Sequence, residues 1–208
     1  MKAVVCAVLL VTHGADIASA ADRSVVILVP SPDDGRLQPA KDAIAFWNET
    51  LADVGAATRL VRPVVVFGMP RPVENYARLI AQRVGRLPVP EDLEPEVPST
   101  LRNLNADIVI LLSGQDVMSY AWALPHTESV RYLVVIRKVR GLDRGDPMVS
   151  RHVVAHELGH TLGLLHNQDS HTLMCGPCQP LTAESDARGF LPLTAAERAY
   201  LLERDGTR

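Results

Sequence analysis

The twelve residues from His156 to Asn167, HELGHTLGLLHN, constrain the fold of this chain more than any other stretch. On a helix, residues four apart lie on the same face, so His156 and His160 can direct a nitrogen toward one metal ion. Gly163 stands where that helix has to end, because a residue without a side chain can adopt the left-handed conformation that turns the chain sharply. The turn is predicted to bring His166 back to the same ion.

Three histidines and one carboxylate in so short a stretch are typical of a catalytic zinc site. Three nitrogen ligands leave the fourth tetrahedral position for water, which is the open geometry of catalytic and not of structural zinc. Glu157 lies beside the face of the ligands, where it can reach a zinc-activated water without being a ligand. We therefore predict one catalytic Zn²⁺ ion, bound by His156, His160 and His166.

The remaining histidines are predicted to lie outside the metal site. His152 precedes His156 by four residues and would extend the same face. However, a helix rises about 12 Å over the eight residues from His152 to His160, whereas a zinc to nitrogen bond is about 2 Å long. We expect His152 to have a packing or polar role near the helix start. His126 and His171 fall in predicted loops and are interpreted as surface residues.

The first twenty residues have the pattern of a secretory signal peptide. Lys2 precedes an apolar run from Ala3 to Val11, and the small residues Ala18, Ser19 and Ala20 end the segment. We expect residues 1–20 to be removed and residues 21–208 to form a single catalytic domain, secreted to the periplasm or the extracellular space. A mature chain of this length can bury one core of ordinary size.

Charge and hydropathy narrow the possible partners. The formal net charge is −3 and no basic patch is present, so we expect no nucleic acid. No apolar run after the signal segment approaches the length of a membrane span. The predicted partner is a peptide or protein substrate, and the oligomeric state stays open.

Apolar patterns predict five strands, over residues 24–30, 58–67, 105–114, 119–125 and 131–139. Strand, helix, strand at the start of the chain favours a right-handed crossover onto a partly parallel sheet. The continuous apolar run 105–114 should be central, because it needs cover on both faces. The run 119–125 ends in a proline and fits an edge.

Helices are predicted over residues 38–54 and 73–84, from Pro147 through the histidine motif, and after the capping-box sequence Thr194 to Glu197. The acidic, proline-rich segment 86–100 is predicted to be an exposed loop with little regular structure.

Cys175 and Cys178 enclose a Gly-Pro pair, which is the spacing of thioredoxin-type redox sites. A redox site places its first cysteine at a helix N-terminus after a strand, whereas Cys175 directly follows Met174. In an oxidising compartment, a local structural disulfide is the preferred interpretation. A catalytic redox site and two free thiols stay open as alternatives.

The sequence HELGHTLGLLH, followed by Met174, resembles the metzincin zinc endopeptidases. The spacing from His166 to Met174 is similar to that of the matrixin branch, as are NADIVILLSG for its third strand and AIAFWNETL for its first helix. The likeness extends over most of the mature chain, but only residues 153–174 are specific. It implies the three histidines as zinc ligands, Glu157 as the general base, and Met174 in a tight turn beneath the metal.

The resemblance also implies a fold and an activity. The fold is an α+β, metzincin-like zincin fold: a twisted, mostly parallel five-stranded sheet with an antiparallel edge strand, an active-site helix and a C-terminal helix. An extended peptide would lie along the edge strand SYAWALP, and residues 175–181 would form a wall of the primed-side pocket, stiffened by the disulfide. The implied function is a secreted zinc-dependent endopeptidase. The alternative is a noncatalytic zinc-binding module for protein recognition, which Glu157 disfavours, since a structural site has no use for that carboxylate.

Three features depart from the matrixin pattern. Asn167 replaces the serine that usually follows the third histidine, no cysteine-bearing propeptide is visible, and Gly176 stands two residues after Met174, where some metzincins have a tyrosine. Asp143 and Asp146 are interpreted as a turn and a helix cap, so no calcium site is predicted.

Overall fold

The computed structural model describes residues 22–83, 95–124, 131–138, 147–181 and 189–206. The predicted signal peptide, most of the predicted proline-rich loop, His126, Asp143 and Asp146 lie outside the described residues. Within these ranges, no helix combines the length and the apolar character needed to cross a bilayer.

Strands and helices follow one another in nearly the predicted order along the described chain. The strands are β1 (Asp22–Val29), β2 (Arg59–Phe67), β3 (Ile108–Leu112), β4 (Tyr120–Leu124) and β5 (Arg131–Ile136), and the helices are α1 (Leu37–Asp53), α2 (Arg71–Ala81), α3 (Ser99–Arg102), α4 (Pro147–Thr161) and α5 (Ala195–Gly206).

Helix α3 is a correction to the predicted loop 86–100, because it begins at Ser99. Its single turn buries Leu101, which packs in the apolar layer on the α2 side of the sheet. A helix of four residues is too short to show an apolar period, so the sequence pattern could not reveal it.

The strands form one sheet in the order β2-β1-β3-β5-β4. β1 is parallel to β2 and to β3, and β3 is parallel to β5. β4 lies at the edge and runs antiparallel to β5. The prediction of a mixed fold with a mostly parallel sheet is therefore confirmed.

The side chains of β1 alternate between two apolar layers. Val25, Ile27 and Val29 belong to a layer that contains residues of α1 and α4, whereas Val26 and Leu28 belong to a layer with α2 and α3. Because successive strand side chains point to opposite faces, a sheet covered on both sides needs continuous apolar runs. This packing fixes α4, which carries the first two histidines, against one face of the sheet.

A buried cation closes the carboxyl ends of β3 and β5. The guanidinium group of Arg36 donates hydrogen bonds to the carbonyl oxygens of Ser113 (2.8 Å), Ile136 (3.1 Å) and Leu112 (3.2 Å), and to the carboxylate of Asp34 (2.6 Å). Burial alone would raise the pKa of Asp34, but the hydrogen bonds from Arg36 outweigh it and hold that pKa below its ordinary value.

Candidate metal centre

Helix α4 begins at Pro147, as predicted, and packs against α1. The indole N–H of the fully buried Trp47 donates a hydrogen bond of 2.8 Å to the carbonyl oxygen of Ala155. Ala155 immediately precedes His156, so this bond fixes the backbone beside the first histidine of the motif.

The helix ends in a Schellman motif centred on Gly163. The N–H of Gly163 donates to the carbonyl of His160 (3.0 Å), and the N–H of Leu164 donates to the carbonyl of Gly159 (3.1 Å). Gly163 has a φ of 91°, where a side chain would be strained, and a Cβ there would collide with the guanidinium group of Arg204. The chain reverses at this point, as its sequence predicts.

The reversal brings three imidazole nitrogens together. The Nε2 atom of His166 lies 3.0 Å from Nε2 of His156 and 3.2 Å from Nε2 of His160. Ligand nitrogens of a tetrahedral zinc ion with bonds of about 2.0–2.1 Å lie about 3.3 Å apart. The three side chains therefore fit the first coordination sphere of zinc and leave a fourth position open.

The other ring nitrogens of the two helical histidines are fixed by backbone carbonyls. Nδ1 of His156 lies 2.7 Å from the carbonyl oxygen of Leu173, and Nδ1 of His160 lies 2.8 Å from that of Leu164. Because a carbonyl only accepts hydrogen bonds, each Nδ1 carries the proton and each Nε2 directs its lone pair toward the shared point.

Burial shapes the protonation of the site. It lowers the pKa of His156 to about 4, which the hydrogen bond to Leu173 opposes only in part, and it also lowers the pKa of His160. Burial raises the pKa of the Glu157 carboxyl to about 7, opposed by a hydrogen bond from the backbone N–H of Ala121. The two helical imidazoles are therefore neutral at neutral pH.

Met174 lies fully buried beneath the motif, in a turn that the N–H of Cys175 closes on the carbonyl of Thr172 (3.3 Å). A Cβ built on Gly159 would lie 2.5 Å from the sulfur of Met174 and 3.0 Å from Cζ2 of Trp47. The missing side chain of Gly159 therefore makes the space that the thioether fills.

A cleft of about 290 Å³ opens beside the histidines. Its apolar wall includes Val153, Leu173, Leu181 and Leu191, and Glu157 also lines it. The cleft thus combines an apolar surface with one carboxyl group next to the three nitrogens.

The sulfur atoms of Cys175 and Cys178 lie at disulfide-bonding distance, with Cα atoms 5.1 Å apart. Both residues line the cleft. Among the described residues, no helix begins at Cys175, so the helix N-terminus that a thioredoxin-type site uses is not found there. The pair matches the predicted local bridge.

His152 is buried and lines the cleft, but it is not a member of the triad. Its Nδ1 donates to the carbonyl of Met148 (2.8 Å), and its Nε2 accepts a hydrogen bond from the N–H of Leu191 (3.2 Å). Nδ1 therefore bonds within α4, and Nε2 joins α4 to the segment before α5. His171 is exposed.

Sequence reasoning overlooked two residues that shape the site, Gly159 and Glu197. A glycine inside a helix costs about 1 kcal/mol relative to alanine, so its presence between two of the histidines signals a close approach. Glu197 gave no such signal, because its sequence context explains it as half of a capping box. Its carboxylate also accepts a hydrogen bond of 2.7 Å from Asn167.

No protein-family model matches the chain, and no curated protein matches it. Among solved structures, it is similar to archaemetzincin from Methanopyrus kandleri, with a TM-score of 0.47 and 14% identity over 93% of this chain and 99% of that chain. Metalloproteinase-II from Bacteroides fragilis has a TM-score of 0.46 and 15% identity over 88% of this chain and 53% of that chain. A zinc-dependent peptidase from Methanocorpusculum labreanum has a TM-score of 0.40 and 17% identity over 86% of this chain and 99% of that chain. Likeness of this degree does not assign an activity.

Proposed function

We propose that this chain is a zinc-dependent endopeptidase of metzincin type. The observation that carries the proposal is the convergence of three Nε2 atoms, with His166 at 3.0 Å from His156 and 3.2 Å from His160, beside a cleft that holds a carboxyl group. His156, His160 and His166 would hold the ion. The matrixin branch suggested by the sequence stays a prediction.

A zinc ion and Glu157 would have different roles in the hydrolysis. A zinc ion at this site would polarise a peptide carbonyl and lower the pKa of a water molecule. The Glu157 side chain lines the same cleft as His156 and His166, so it can accept a proton from water and deliver it to the leaving amine. Glu157 contributes no atom to the histidine cluster and is therefore free to act as the general base.

Edge strand β4 supplies a place for the substrate. The backbone of Ala121 on β4 lies close enough to the Glu157 carboxyl to oppose the rise of its pKa, so this strand passes beside the site. An extended peptide that pairs with an edge strand gains affinity from main-chain hydrogen bonds, and a pocket then selects side chains. The apolar wall of the cleft favours an apolar side chain next to the cleaved bond.

We also propose that the protein acts outside the cytoplasm, after loss of residues 1–20. Two observations support this location: the signal-peptide pattern of those residues and the disulfide-bonding distance between Cys175 and Cys178. Disulfides persist in oxidising compartments and are rare in the cytosol.

Replacing Glu157 by glutamine tests the proposed activity. The variant is expected to keep one bound zinc per chain but to hydrolyse a peptide library about 10²- to 10⁴-fold more slowly, because the proton acceptor is gone. Glu49→Gln makes the same chemical change on the exposed face of α1 and serves as the matched control. Zinc is measured by elemental analysis after dialysis, and hydrolysis is measured with and without a chelator.

Two results would contradict the proposal in different ways. A zinc-loaded Glu157→Gln variant with the wild-type rate would reject Glu157 as the base. A wild-type chain that binds zinc but cleaves no member of the library would favour the noncatalytic recognition module.

A further inference from the structure

The third histidine is held differently from the other two. His156 and His160 lie on α4, whereas His166 follows the helix end and is exposed, next to Leu165, which is 80% exposed. Packing alone does little to fix a ring in such a place. Its position therefore depends on the backbone of the adjoining residues, and Asn167 is bonded through both its backbone and its side chain.

The backbone of Asn167 joins the segment that carries His166 to the turn that carries Met174. Its N–H donates a hydrogen bond of 2.8 Å to the carbonyl of Met174, and its carbonyl accepts one of 2.9 Å from the N–H of Gly176. These two bonds form a parallel bridge across Cys175. Any residue except proline could make them at position 167, so they do not explain why this residue is asparagine.

The side chain of Asn167 uses both halves of its amide. Its Oδ1 accepts a hydrogen bond from the N–H of Asp169 (2.8 Å). Its Nδ2 donates to the hydroxyl of Thr172 (2.8 Å) and to Oε1 of Glu197 (2.7 Å). The amide thus fixes the turn after His166 and also reaches a helix thirty residues further along the chain.

Glu197 is buried and divides its carboxylate between two donors. Oε2 accepts a hydrogen bond of 2.7 Å from the N–H of Thr194, and the N–H of Glu197 donates to Oγ1 of Thr194 at 3.2 Å, which completes a reciprocal capping box. Oε1 is left to receive the amide of Asn167. The capping box thus fixes the carboxylate at the start of α5, where it accepts the hydrogen bond from Asn167.

Only an amide meets these demands at position 167. An aspartate would place a second carboxylate against that of Glu197 and would donate no hydrogen bond there. A serine would be too short to replace an amide that spans Asp169, Thr172 and Glu197. The chemistry of the surroundings therefore accounts for the departure from the serine of matrixins.

We propose that Asn167 is a positioning residue which, anchored on Glu197, fixes His166 and sets how tightly the chain holds its metal ion. The proposal rests on the function proposed above, because it presumes that the three histidines bind a metal. Groups that orient metal ligands typically change metal affinity by 10- to 100-fold when they are removed. Asn167 is not a member of the histidine cluster and does not line the cleft, so it acts through the backbone it shares with His166.

The test compares zinc affinity, by competition with a chromophoric chelator, and the visible absorption spectrum of the Co²⁺-loaded chain. Asn167→Asp is expected to weaken zinc binding by about 10- to 100-fold and to alter the Co²⁺ spectrum. Adding Glu197→Gln to this variant exchanges the positions of the amide and the carboxylate. The glutamine oxygen accepts the hydrogen bond from the N–H of Thr194, and the glutamine amide donates one to the new aspartate. The double variant is expected to regain most of the lost affinity and the wild-type spectrum.

Thr194→Ala is the matched control. It removes the capping hydroxyl of α5, so it loosens the same helix, but it keeps the hydrogen bond between Asn167 and Glu197. We expect this variant to bind zinc as the wild type does and to keep its Co²⁺ spectrum, even though the metal-free chain unfolds at lower urea concentration.

The outcomes separate the two proposals. A wild-type chain that binds zinc, together with an Asn167→Asp variant of equal affinity and spectrum, overturns the positioning role alone. The same conclusion follows if Thr194→Ala loses as much affinity as Asn167→Asp, or if the double variant recovers nothing. A wild-type chain that binds neither zinc nor Co²⁺ overturns the proposed metal centre itself.

Discussion

Replacing Gly159 by alanine adds one methyl group between two fully buried side chains. The new Cβ would lie 2.5 Å from the sulfur of Met174, 3.0 Å from its Cε and 3.0 Å from Cζ2 of Trp47. Trp47 cannot withdraw without losing its hydrogen bond to Ala155, so Met174 has to move. Forcing extra carbon into a packed core costs about 1–3 kcal/mol.

The same substitution improves the helix. Alanine is favoured over glycine inside a helix by about 1 kcal/mol. The net effect of Gly159→Ala is therefore a loss of about 1 kcal/mol in the free energy of unfolding. In a Met174→Ala background the thioether is absent, so we expect Gly159→Ala to be neutral or stabilising there. The two substitutions should be coupled by about 1–2 kcal/mol.

Urea unfolding of the metal-free chain, monitored by tryptophan fluorescence, measures the free energy of unfolding of the wild type, the two single variants and the double variant. Gly35→Ala is the control, because a Cβ at Gly35 meets no atom within 4 Å, and it should change stability by less than about 0.5 kcal/mol. If Gly159→Ala stabilises the wild type, or if its effect is the same with and without Met174, the packing explanation is wrong.

Two further predictions concern stability. The pKa of Asp34 is lowered from 3.8, so its pairing with Arg36 stabilises the fold fully above about pH 4, and this contribution is lost as the pH falls through the lower, folded-state pKa. Asp34→Asn should be less stable than the wild type at neutral pH, with the difference shrinking in acid; a difference that does not change from pH 7 to pH 2 would contradict this account. Gly163→Ala should destabilise the chain by more than about 1 kcal/mol in urea unfolding, because φ is 91° and the new Cβ meets Arg204, whereas wild-type stability would show that the helix end can rearrange.

The parts of the site that the sequence predicted lie within one short segment, from His156 to His166. The spacing of His156 and His160 follows from helix geometry, and Gly163 follows from the need to end the helix. The strands were recognisable because a sheet covered on both faces needs uninterrupted apolar runs. Local chemistry was enough in each case.

The parts that were missed depend on contacts between distant segments. The sequence identifies Glu197 as a helix cap, but its second bond to Asn167 depends on how α5 docks, which no local pattern encodes. The same holds for Gly159, whose neighbour Met174 arrives from beyond the reversal of the chain. From the sequence, Asn167 is only a departure from a family pattern, and the three partners of its amide explain it in the structure.

Helix α5 contacts both ends of the segment 162–167, which carries His166. Arg204 donates a hydrogen bond to the carbonyl of Leu162, where α4 ends, and Glu197 binds Asn167 just beyond His166. These contacts give the site an order of assembly. A nascent chain synthesised only as far as residue 181 already contains all three histidines but lacks the helix that bonds to Leu162 and Asn167 on either side of His166. We therefore expect the three histidines to be ordered completely only after residues 195–206 have been made and have docked.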